Sequence, residues 1–144
     1  VLGYNVSRLS PKEMNELRGS MALALLQNEA PSERLKAVNY TYTMDEQSKT
    51  VKEALLLALN TDENINVRLA TVDALQVYGD DPWIREQLVK SITLQKSPLV
   101  QVALAECMVS LKEKSSIKEI EKLIKASETP DMIKVKLASY VKQI

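Results

Sequence analysis

The sequence has no histidine and a single cysteine, Cys107, and these shortages remove several classes of chemistry. Without histidine, neither a Ser-His-Asp triad nor a Cys-His pair can form, and no imidazole can bind a metal. One cysteine excludes a disulfide within the chain, and a structural zinc site needs about four cysteine or histidine ligands. We therefore predict no enzymatic activity, no metal site and no cofactor.

Glycine and aromatic residues are also scarce, with three glycines, one tryptophan and no phenylalanine. A β-sandwich needs turn glycines and aromatic strand residues, so this composition argues against one. No run approaches the roughly 18–20 apolar residues of a membrane span, and no secretory signal region is present. The 19 basic and 19 acidic residues cancel, so no net charge directs the chain to nucleic acid or anionic lipid.

What the sequence does contain is helical periodicity, in eight segments with short polar connections. The first begins at Ser10, which together with Pro11 and Glu13 has the pattern of a capping box. Pro31 ends this segment, and Ser32 is placed to cap the next helix. The seven later segments are SERLKAVNYTY, KTVKEALLLALN, INVRLATVDALQVYG, WIREQLVKSITL, LVQVALAECMVSLKEK, IKEIEKLIKAS and MIKVKLASYVKQI.

The apolar pattern of these segments repeats about every 33 residues. The stretch NVRLATVDAL, from Asn66, aligns with LVQVALAECM, from Leu99. A fixed period of 20–50 residues is the signature of a solenoid, in which each helical pair buries its apolar face against its neighbours. We therefore predict an all-α superhelix of about three helix pairs, at 32–60, 64–94 and 98–126, with single capping helices. In this interpretation 1–31 form an N-terminal segment and capping helix, and 32–144 form one continuous domain.

The run VRLATVDAL, followed by YGDDPWIREQLVKSI, resembles the HEAT family and within it the short bacterial HEAT-like repeats. The resemblance is specific at Val67–Arg68 and Ala74–Leu75. Gln101 and Lys134 stand where the following units would have the arginine. The resemblance implies α-α hairpins stacked in a right-handed curve, with the second helices on the concave side.

The whole chain also resembles the C-terminal part of bacterial membrane-anchored proteins that begin with an anti-sigma-type zinc finger. In those proteins a membrane helix separates the finger from a HEAT-like tail. The resemblance implies a sensory or regulatory tail on the periplasmic side of the inner membrane, and without it we expect a cytoplasmic protein. The start at Val1 without methionine fits a processed piece, tethered by an upstream span but making no membrane contact of its own.

Four residues are candidates for contact with a protein partner: Trp83, Lys52, Arg85 and Lys118. The three basic residues hold equivalent positions on the second helices, where they grip a partner or pair with a glutamate of the next unit. Those pairs would be Lys52 with Glu86 and Arg85 with Glu119. Trp83 serves either as an interface anchor or as a packing residue against the next repeat.

The other polar candidates have simpler interpretations. Cys107 occupies the core slot that Ala74 fills one repeat earlier, so we expect it to be buried. Three carboxylate pairs fall in predicted turns, where we expect turn formers and caps rather than acid–base catalysis: Asp45–Glu46, Asp62–Glu63 and Asp80–Asp81.

The expected function is a non-catalytic scaffold for protein–protein interaction, monomeric and with a partner that the sequence does not identify. The alternative is a HEAT-like DNA-binding protein or DNA glycosylase. From 112 to 144 there are eight lysines and five acids, a difference of three, and no arginine. A DNA-binding solenoid needs a stronger basic face, so we expect no nucleic-acid partner.

Overall fold

The computed structural model describes residues 8–44 and 48–144, and within these ranges the regular structure is helical throughout. The prediction of an all-α chain with eight helices is confirmed. The helices are α1 Pro11–Leu26, α2 Pro31–Tyr40, α3 Lys49–Thr61, α4 Ile65–Val77, α5 Pro82–Ser91, α6 Pro98–Leu111, α7 Ile117–Lys125 and α8 Asp131–Gln143. Single 3-10 turns follow α2 and α5 and precede α7. The predicted turn at Asp45–Glu46 lies outside the described residues.

Helix starts follow local signals in the sequence. The capping box of α1 is confirmed, since Ser10 Oγ accepts the Glu13 N–H at 3.1 Å and the Glu13 carboxylate accepts the Ser10 N–H at 3.4 Å. The expected cap of α2 is wrong by two residues. Ala30 holds the cap position, and Ser32 lies inside the first turn. The reason is Pro31, whose fixed φ suits the first helical position and whose missing N–H is not needed there.

The even-numbered helices contact one another in order, α2 with α4, α4 with α6 and α6 with α8. In the odd-numbered series, α1 packs on α3 and α3 on α5, while α7 packs on the 3-10 turn that follows α5. Among consecutive helices, the close contacts are α1 with α2, α3 with α4 and α7 with α8. The 33-residue period instead grouped α2 with α3, α4 with α5 and α6 with α7.

One apolar core runs along the interior from α2 to α8. Leu75 is fully buried in it, and Leu69 packs against it while half-buried. Ala74 and Cys107 are each 1% exposed, which confirms that the repeat places both in core slots. The core therefore takes side chains at matching positions of successive helices.

Candidate partner-binding site

Lys52 lies in the interior rather than on an open surface. It is 7% exposed, and its Nζ lies 2.6 Å from Asp81 Oδ2 and 5.8 Å from the centre of the Tyr78 ring. The hydrogen bond from Lys52 holds the pKa of the Asp81 carboxyl below its ordinary value. Lys52 thus ties α3 to the α4–α5 turn. The predicted pair with Glu86 is wrong, because Glu86 instead pairs with Lys90 at 3.0 Å.

Arg85 is committed to backbone groups in a similar way. Its Nε donates to Gly79 O at 2.6 Å, and its Nη1 donates to Leu111 O at 2.9 Å and lies 3.5 Å from Glu113 Oε1. These contacts tie α5 to the end of α6. The predicted pair with Glu119 is wrong, since Glu119 pairs with a lysine one turn later in α7.

Lys118 does not repeat the role of Lys52 and Arg85. From α3 to α5 the 33-residue register holds, because Leu55 and Leu88 are both fully buried. The next position in that register is Glu121, which is exposed, and Ile120 is buried in its place. The register is therefore lost in α7, and Lys118 lies exposed there.

Trp83 combines packing with partial exposure. It lies in the first turn of α5, where its N–H donates to the capping carboxylate of Asp81 at 2.9 Å. The ring packs half-buried against the core. Lys49 Nζ lies 5.4 Å from the ring centre, a contact worth about 0.5–1 kcal/mol at an exposed site. Trp83 is thus held in place by α5 and still presents part of its ring to solvent.

A second set of polar ties, on the even-numbered helices, was not among the predicted site residues. We call Arg34, Arg68 and Gln101, which lie 34 and 33 residues apart, the arginine series. Arg34 donates to Asn28 O and Glu29 O, both at 2.9 Å, and to the Asp62 carboxylate at 2.8 and 3.0 Å. It therefore joins the turn before α2 to the turn after α3.

Arg68 makes the equivalent contacts one period later. Its Nε donates to Leu59 O at 2.9 Å, and its Nη2 donates to Gln95 Oε1. Gln95 is 3% exposed and donates to Asn60 Oδ1 at 2.8 Å. The Val-Arg pattern of the repeat was the sequence signal for these ties, and their role is to join successive turns.

The carboxylates met in the turns are caps and ion-pair partners. Burial by itself raises the pKa of Asp62, but hydrogen bonds from Arg34 and from the Asn64 N–H outweigh it and hold that pKa below its ordinary value. Asp81 caps α5. The prediction that Asp62 and Asp81 are turn and cap residues is confirmed.

The described residues form no reactive constellation around Cys107. Burial raises the pKa of its thiol to about 12, which leaves it protonated and unreactive at neutral pH. Within 8–44 and 48–144, no three cysteine or carboxylate side chains gather closely enough to hold a metal ion. None of the helices in those two ranges combines the length and apolar character needed to cross a lipid bilayer.

Two clefts of similar size open on the molecule. One, of about 450 Å³, lies between α1 and α3 and is lined by Lys12, Glu16, Gly19, Ser20 and Thr50. The other, of about 480 Å³, is formed by the residues around the start of α6 and the α7–α8 turn. None of the four predicted partner-binding residues lines either of them.

No protein-family model matches this chain, and no curated protein or solved structure matches it either. The HEAT-like and anti-sigma-type resemblances therefore remain hypotheses.

Proposed function

We propose that this chain is a non-catalytic helical-repeat scaffold, a HEAT-like solenoid that binds a protein partner. The observation that carries the proposal is the recurrence of one tie at one interval. Arg34 and Arg68 each hold the end of the preceding helix or turn, together with a side chain 27 or 28 residues further on. Ties repeated in this way stack successive helices in a regular order, and stacked repeats generate extended binding surfaces.

The partner surface in this proposal is the exposed face of the odd-numbered helices. On α3 this face carries Leu57, which is 65% exposed, and on α5 it carries the free part of Trp83. Lys118 contributes an exposed charge from α7. Lys52 and Arg85 act from behind this face by fixing the turns, because their charged groups are already paired.

Trp83 is the anchor in this proposal, since tryptophan and arginine supply most large interface effects. Lys118 would affect the association rate and orientation more than affinity. In the membrane-anchored setting that the resemblance implies, the chain is the regulatory tail of an anti-sigma-type zinc-finger protein and meets its partner in the periplasm.

The test is site-specific photo-crosslinking in the native source. A photoreactive residue replaces Trp83 in one variant and Val77, which is 55% exposed on α4, in the control. We expect the same partner to be captured from position 83 and not from position 77. Once the partner is identified, Trp83→Ala should weaken binding by about 2 kcal/mol or more, roughly thirtyfold, with an unchanged melting temperature.

Two results would contradict the scaffold proposal. One is equal capture from positions 77 and 83, which would place the binding surface on another face. The other is tight binding of duplex DNA, or base release from alkylated DNA, by the purified chain. Either DNA result would favour the glycosylase or DNA-binding alternative.

A further inference from the structure

The arginine series changes chemistry at its third member, Gln101. Arg34 and Arg68 each join an earlier turn or helix end to a side chain 27 or 28 residues on. Gln101 makes the first of these contacts, since its Nε2 donates to Gln95 O at 2.9 Å. The residues 27 and 28 positions further on are Glu128 and Thr129. No hydrogen bond joins Gln101 to either of them, because an amide is shorter than a guanidinium arm.

The space between Gln101 and these two residues is the cleft of about 480 Å³ noted above. Its walls include the apolar side chains of Leu94, Pro98 and Leu123, and Glu128 and Thr129 line it on the α7–α8 turn. Lys96 is the basic residue of the lining. An opening therefore lies at the position in the period where Arg34 and Arg68 place their guanidinium groups.

Gln101 itself carries an unmet hydrogen-bonding need. It is 6% exposed, and its Oε1 is buried and accepts no hydrogen bond from any residue in 8–44 or 48–144. Buried side-chain acceptors nearly always have a partner, so this atom calls for a donor. Because Oε1 is shielded from solvent, a ligand must enter the cleft rather than rest at its rim to reach it.

We propose that this cleft binds a guanidinium group supplied from outside the chain. A guanidinium presents five N–H donors in a planar fork and has no acceptor, which suits Gln101 Oε1 together with the Glu128 carboxylate. Apolar walls suit the aliphatic stem that carries such a group. The source is either a free alkylguanidine or an arginine of a partner polypeptide, and in the second case the inference also rests on the proposed function.

The experiment is an NMR titration of the ¹⁵N-labelled chain with three probes at millimolar concentration. The probes are N-ethylguanidinium, the blocked peptide acetyl-Gly-Arg-Gly-amide and the same peptide with lysine. We expect saturable shifts of the amides in 93–101 and 128–130 with the two guanidinium probes, and at least tenfold weaker binding of the lysine peptide. Equal affinity of the two guanidinium probes supports a small-molecule source, and tighter binding of the arginine peptide supports a partner chain.

Two variants make the test specific. Gln101→Arg supplies the guanidinium from within the chain, so we expect a higher melting temperature and loss of probe binding. Glu128→Gln removes the carboxylate of an exposed turn residue without touching the core, and we expect at least tenfold weaker binding by a folded protein. No saturable shift with either guanidinium probe, or undiminished binding by a folded Gln101→Arg variant, would overturn the inference. Neither result depends on whether a partner is captured at Trp83.

Discussion

Leu75 shows how strongly a single position in the repeat is fixed by its surroundings. It is 0% exposed, on a helix that contacts α2, α3 and α6. Leu75→Ala removes buried methyl groups and leaves a cavity that those neighbours cannot fill by moving. We expect a loss of about 2–5 kcal/mol in the free energy of unfolding, measured by denaturant titration.

The matched control for Leu75 is Leu57→Ala, the same substitution at a position that is 65% exposed. It should change the free energy of unfolding by no more than about 0.5 kcal/mol. Similar losses for the two variants would mean that the burial pattern of α3 and α4 is different from the one described.

The end of α6 is held in an unusual conformation. Lys112 is its C-cap and has φ 52° and ψ 42°, the left-handed region in which an L residue is strained by about 1–2 kcal/mol. Glycine avoids this strain but loses more backbone entropy on folding. We therefore expect Lys112→Gly to raise the free energy of unfolding by about 0.5–1 kcal/mol, by thermal or denaturant melts. Lys112→Ala keeps the strain, and a gain as large as that of glycine would argue against this explanation.

The tie between α2 and the α3–α4 turn makes stability depend on pH. The pKa of Asp62 is lowered in the folded protein, where burial opposes the shift and the bonds from Arg34 and Asn64 outweigh it. A depressed folded pKa contributes stability above the unfolded value of about 4, and this contribution is lost as the pH falls through the folded pKa. We expect Asp62→Asn to lower the melting temperature at neutral pH and to converge with the wild type in acid.

Asp80→Asn is the control for the Asp62 prediction, because Asp80 is exposed in the neighbouring α4–α5 turn. Its melting temperature should follow that of the wild type across the same pH range. An Asp62→Asn deficit that persists unchanged in acid would show that the loss comes from the altered turn rather than from the carboxylate charge.

At the scale of the whole molecule, the helices differ in how much they bury. In α4 the buried residues are Val67, Thr71, Val72, Ala74 and Leu75, whereas α8 buries Leu137 alone and α1 buries Gly19 and Ala22. In a stack stabilised by contacts between neighbours, the ends open at lower free energy than the middle. We expect native-state hydrogen exchange to be slowest in α4 and α6 and fastest in α1 and α8. Equal protection in all four helices would instead indicate one cooperative unit.

The sequence by itself determined the features that depend on neighbouring residues. Ser10 and Glu13 form their capping box within three residues, and the apolar period of 3.6 identifies eight helices without knowledge of what they pack against. The core slot of Cys107 was predictable for a related reason, because two aligned helices need side chains of similar size at matching positions. These features follow from short-range sterics, capping and burial.

The tertiary structure alone decided which polar groups meet. Lys52 pairs with Asp81 rather than Glu86, and Arg34 pairs with Asp62, 28 residues away. Charged side chains are long and each pairing is weak, so spacing along the chain leaves several partners possible. The turn that packing brings within reach makes the choice. The opening beside Gln101 has the same origin, since it exists only where the α7–α8 turn approaches a side chain too short to reach it.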